Sequence, residues 1–143
     1  MSQAVKNYPN ESCAFLFADK PFSEQEDWHV FPIKNISETP TESWIPDKKE
    51  MLKVKAKAKK LKLTKIGNIH SHPIHQGDCI SLEDLIQEYK QPSNVDLKFA
   101  RKFNDTIRGI IVVGKDAIYE QHFHDQYGNT VELLTEELRE DEN

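Results

Sequence analysis

Asn68-Ile69-His70-Ser71-His72-Pro73-Ile74-His75-Gln76-Gly77-Asp78-Cys79-Ile80-Ser81-Leu82-Glu83-Asp84 packs three histidines, two aspartates, a cysteine and two serines into one short run. The residues leading into it, Thr64 to Ile69, read as a short strand, and Ser81 to Tyr89 read as the start of a helix. Side chains alternate along a strand, so His70 and His72 share one side. A helix opening with Ser-x-x-Asp can carry its carboxylate to the same point.

Neutral imidazoles suit a borderline-soft cation such as Zn²⁺. Two histidines, one aspartate (Asp84) and an open position make the stoichiometry of a catalytic zinc site rather than a structural one. Ser81 can cap the Asp84 helix, or it can face the open position and bond a developing oxyanion. A hydrolase at such a site needs a general base. The carboxylates nearest in sequence are Asp78 and Glu83.

Working outward, residues 2–8 suit a short helix, ended by Pro9-Asn10. Glu11 leads into Ser12 to Phe17, an apolar run fit for a buried strand; by its local sequence Glu11 is a rim carboxylate. Trp28 to Ile36 suggests a second strand, with Pro32 marking an edge or a bulge. Nine lysines fall between Lys48 and Lys65 against one acid, Glu50. Met51, Val54, Ala58 and Leu61 recur at helical spacing there, and Ala and Lys favour helix over the competing period-two pattern. The lysines read as a solvated face or as a patch for an acidic partner.

Beyond the central run, Glu83 to Lys90 continues a helix up to Gln91-Pro92. Ser93 to Asp105 is ambiguous: Val95 to Phe99 suits a strand, and Asp96 can equally open a short helix through Phe103. Ile107 to Gly114 is a buried strand, Ala117 to His124 its neighbour, with a hairpin turn between them. His122 and His124 read as surface residues. Thr130 to Leu134 suits a last strand.

The chain of 143 residues fits one domain, residues 1–134, with an acidic tail at 135–143. A net charge of −5 and a pI of about 5.7 point away from nucleic acid and anionic membrane. Cys13 and Cys79 make no disulfide framework, and no apolar stretch has the length of a signal or a membrane span. A cytoplasmic protein with reduced thiols is the expectation.

Taken together, Glu11, His70-Ser71-His72-Pro73 and Ser81-Leu82-Glu83-Asp84 resemble the pattern of the JAMM (JAB/MPN, or MPN+) metalloproteases. Tyr8-Pro9-Asn10-Glu11-Ser12-Cys13-Ala14-Phe15-Leu16 is similar to the opening of small prokaryotic members. The resemblance covers roughly residues 4 to 125 and points to a small prokaryotic or viral member. It implies an α/β fold, a mixed, curved sheet flanked by helices. It implies Zn²⁺ held by His70, His72 and Asp84, Glu11 as the base activating the zinc-bound water, and Ser81 at the oxyanion. The implied activity is cleavage after the C-terminal tail of a ubiquitin-like protein. Processing of a sulfur-carrier or phage-tail component and a non-catalytic binding scaffold are the alternatives.

Two departures stand out. The interval Pro73 to Ile80 is one residue longer than is usual in the family, which enlarges a loop holding His75, Asp78 and Cys79. Ala14 stands where glycine is common. Neither removes a residue the chemistry needs.

Overall fold

The computed structural model describes residues 2–19, 28–75, 81–103 and 105–132. Among these residues, ten elements run in the order α1 (Ser2–Asn7), β1 (Cys13–Ala18), β2 (His29–Ile33), α2 (Lys48–Lys60), β3 (Thr64–Pro73), α3 (Leu82–Tyr89), α4 (Asn94–Lys102), β4 (Ile107–Val113), β5 (Ile118–His124) and β6 (Thr130–Val131). The strands form one mixed sheet in the order β2-β1-β3-β4-β5-β6. Among them only β3 and β4 pair in parallel. The expected mixed sheet with flanking helices is therefore what the chain adopts. Pro32 lies on β2, the edge strand, where a residue lacking an N–H costs no ladder bond.

β1 and β4 are buried along their whole length, which explains their unbroken apolar runs. On β1, Ala14, Leu16 and Ala18 pack with Ala4 of α1 on one face of the sheet. Cys13, Phe15 and Phe17 point to the other face, against Phe31 and against Val54 and Ala58 of α2. Burial of each large apolar side chain contributes about 1.5–3 kcal/mol. Leu85 of α3 closes the same face against Ile110 and Val112.

α2 is helical as its composition predicts. Asp47 caps it by accepting from the Lys49 amide, and Met51, Val54 and Ala58 make its packed side. Leu61, expected to complete that side, is instead the C-cap residue and 48% exposed. The ambiguous stretch after Pro92 resolves as α4, with Ala100 buried. A full capping box starts it: Ser93 Oγ accepts from the Asp96 amide while the Asp96 carboxylate accepts from the Ser93 amide. β3 runs on to Pro73, so His70 and His72 are strand residues. Gly67 on β3 allows a close approach of β4, since a Cβ there would lie 1.6 Å from the Ile107 carbonyl oxygen.

Candidate metal centre

His70 and His72 alternate on β3 with their rings on one face, and their Nε2 atoms lie 3.0 Å apart. The Nδ1–H of His72 donates to the Tyr89 carbonyl at the end of α3, 2.6 Å away. That bond fixes the tautomer and leaves the Nε2 lone pair facing inward. Trp44 stacks on the His70 ring at 5.7 Å. His70 is 1% exposed, and burial lowers its pKa to about 4, so it is neutral at pH 7.

Glu11 reaches the same spot from the start of β1. Ser71, pointing away from the histidine face, ties the strands there: the Ser12 amide donates to Ser71 Oγ at 2.7 Å, and the Ser71 amide to the Ser12 carbonyl at 2.9 Å. The Glu11 backbone is held from the loop after β2, donating to the Pro40 carbonyl and accepting from Asn35 Nδ2. One ligand atom each from Glu11, His70 and His72 lies within 4.8 Å of the others, a group that can hold a metal ion. Glu11 is 7% exposed rather than on a rim. Burial first, and the Asp96 charge second, push its pKa up to about 7. A carboxyl poised near neutrality can take and return a proton.

The fourth group is Asp96, at the first turn of α4. Its carboxylate oxygens stand 3.5 Å from His70 Nε2 and 3.9 Å from His72 Nε2. Burial alone would raise its pKa, but the His70 hydrogen bond and the nearby imidazoles outweigh that and hold it below the usual carboxylate range. Arg108 on β4, 2% exposed, fixes this turn by donating from Nη1 to the Asp96 carbonyl. Its Nε donates to Asn68 Oδ1 at 3.2 Å, and Asn68 Nδ2 donates to Asp105 Oδ2 at 3.1 Å.

Sequence spacing assigned Asp84 and Ser81 to the histidines, and the structure places them elsewhere. Both are exposed, and neither lines the groove that contains Glu11, His72 and Asp96. Of the two roles open to Ser81, capping is the one observed: its hydroxyl accepts from the Asp84 amide at 3.2 Å. The reason lies in the packing of α3. Leu85 faces Ile110 and Val112, which turns the preceding residue to solvent, and the far end of the helix, at Tyr89, meets His72. Glu83 is likewise exposed. Asp78 and Cys79 lie outside the described residues, as does the tail 135–143. His75 bonds the Tyr8 hydroxyl through Nδ1 at 3.0 Å. His124, read as a surface residue, is fully buried, with Nδ1 bonded to the Asp125 carbonyl at 2.7 Å.

Asp96, Ser93, Arg108 and Trp44 are what sequence reasoning missed. The available signal was Pro92-Ser93-Asn94-Val95-Asp96, a second Ser-x-x-Asp in the chain.

The donor set suits a cation. Two Nε2 atoms that face each other at 3.0 Å share at most one proton when both rings are neutral, and two carboxylates border the same point. His70 Nδ1 is buried with no hydrogen-bond partner among the described residues. Imidazole plus carboxylate is a zinc-type ligand set.

The family model for prokaryotic homologs of the JAB domain matches residues 1–116. In fold the chain is similar to a JAB1/MPN domain protein from Archaeoglobus fulgidus, with a TM-score of 0.54 and 18% identity over 92% of this chain and 85% of that one. It is also similar to a Desulfitobacterium hafniense protein solved in solution, with a TM-score of 0.55 and 22% identity over 96% and 86% of the two chains. No curated protein matches it. No helix among the described residues is long and apolar enough to cross a membrane.

Proposed function

The chain belongs to the prokaryotic homologs of the JAB domain, and from that membership we propose that it is a zinc-dependent peptidase or isopeptidase acting after the C-terminal tail of a ubiquitin-like protein. His70, His72 and Asp96 hold the metal; Asp96 takes the place first expected of Asp84. When bound, zinc polarises the scissile carbonyl and lowers the pKa of a coordinated water toward neutrality. Glu11 takes the proton of the attacking water and returns it to the departing amine. Ser93 lines the groove and takes the role first expected of Ser81. Its oxygen accepts from the Asp96 amide, which leaves its own O–H free to donate to the oxyanion. The tail adds as an extended segment in the groove.

The observation that carries this reading is the convergence of Glu11, His70 and His72 with Asp96 beside a large groove. The test is incubation of zinc-loaded protein and its Glu11→Gln variant with ubiquitin-like fusions bearing different tails. The parent cleaves at least one fusion at the end of the tail. The variant keeps its zinc but cleaves slower by about 100-fold or more, the usual contribution of a general base. Equal behaviour of the two proteins on every fusion overturns the proposal.

A further inference from the structure

The groove extends well past the metal centre. Its volume is about 1230 Å³, above the roughly 1,000 Å³ upper range of small-molecule sites, so it has room for a peptide segment. The register of β1 on β3 sets the distances along it: Cys13 opposes His70, and the lining residues Phe15 and Phe17 oppose Asn68 and Lys65. From Cys13 to Phe17 is about 13 Å, or about four residues of extended chain. At this distal end Phe99 and Phe103 stack at 6.0 Å, yet they are 41% and 59% exposed. Lys65 Nζ lies 4.7 Å from the Phe15 ring centre and 5.7 Å from that of Phe103.

Among the described residues, the charge of that end is positive: Asp105 is shared between Lys65 at 3.4 Å and Arg108 at 3.6 Å, which leaves one cation over there. Lys55, exposed on α2, lines the same groove. The acid of the lysine-rich helix, Glu50, already accepts from the Lys34 amide. Elsewhere the groove is lined by the acids Glu11, Glu42, Glu88 and Asp96.

Resting on the peptidase reading above, we infer that the tail bound in this groove carries a bulky apolar side chain next to an acidic one, about four residues before the cleaved bond. The apolar side chain covers Phe99 and Phe103, and the carboxylate meets Lys55 and Lys65. A basic tail is disfavoured at that end by like charge.

The test is fluorescence anisotropy on the zinc-loaded Glu11→Gln chain with three labelled peptides ending in Gly-Gly. The first has a Phe-Glu pair four residues before that end, the second Phe-Lys, the third Gly-Glu. The Phe-Glu peptide should bind at least about tenfold tighter than either of the others. Phe103→Ala should erase the advantage of Phe over Gly, and Lys55→Glu should turn the preference from Glu to Lys; both positions are exposed, and circular dichroism checks the fold of each variant. Equal binding of the three peptides, or variants that keep the parent ranking, overturns the inference. So does dimerisation that the same two substitutions abolish, which would assign the groove to a second copy of the chain. Cleavage of fusions regardless of these tail residues sinks the inference and spares the peptidase reading. Ranked binding with no cleavage of any fusion by the parent protein does the reverse.

Discussion

Ser81-Leu82-Glu83-Asp84 and Ser93-Asn94-Val95-Asp96 are the same local word with different fates. Each starts a helix, and in each the serine hydroxyl accepts the amide three residues on. The first turn ends up in solvent, while the second stands against two histidines. Hydrogen bonds within four residues settle where a helix begins, and they are blind to where it docks. Docking is settled by side chains further along the chain: Leu85 seats α3 on Ile110 and Val112, whereas Ala100 and the Arg108 bond to the Asp96 carbonyl seat α4 beside the histidine pair.

Exchanging the carboxyls is the strongest test of that contrast. Asp96→Asn should weaken zinc binding by at least about 100-fold, beyond the 10–100-fold typical of a supporting residue. Asp84→Asn should leave it within about twofold, as expected of an exposed charge. Competition with a chromophoric chelator reads both, and similar losses would erase the distinction between the two turns.

A smaller effect sharpens the role of the seat. Arg108→Lys keeps the charge but loses the planar fork that reaches Asn68 and Asp96 together. Zinc affinity should drop about tenfold, and urea unfolding should show about 1.5–3 kcal/mol of lost stability. Unchanged zinc affinity would mean that α4 is held by its apolar contacts alone.

The smallest expected difference lies in the caps. Ser93→Ala removes one half of a reciprocal capping box and should cost about 1–2 kcal/mol; Ser81→Ala removes a single bond and should cost about 0.5–1 kcal/mol. Chemical denaturation measures both, and only the Ser93 variant should also lose zinc affinity. A larger stability loss at Ser81 would reverse the ranking.

Much of this molecule was legible from its residues. The apolar run of β4, the alternation of β5 and the hairpin between them followed from period and turn chemistry, as did helical α2. The His-x-His pair was visible because its two members lie two residues apart on one strand. Glu11 was invisible locally, because the groups that make it more than a rim carboxylate lie nearly sixty residues away and reach it only through the pairing of β1 with β3. Asp96 was missed because the sequence offers two equivalent turns, and the one nearer to the histidines matched the expected interval more closely. The stretch Ser93 to Asp105 balanced strand against helix until the capping box decided it. His124 misled for a related reason: on a strand near the sheet edge it looks exposed, but it pairs with Arg108, at the heart of the buried polar network.

The parallel pairing of β3 with β4 has a consequence for how the chain folds. Antiparallel neighbours such as β4 and β5 close through a tight turn, while β3 and β4 must wait for the whole crossover between Pro73 and Ile107 to come round. That crossover carries α4, and β4 carries the arginine that seats it. Completing the sheet and delivering Asp96 are thus one event. In a half-folded chain the two histidines are already neighbours on β3, while Asp96 reaches them only with the finished fold.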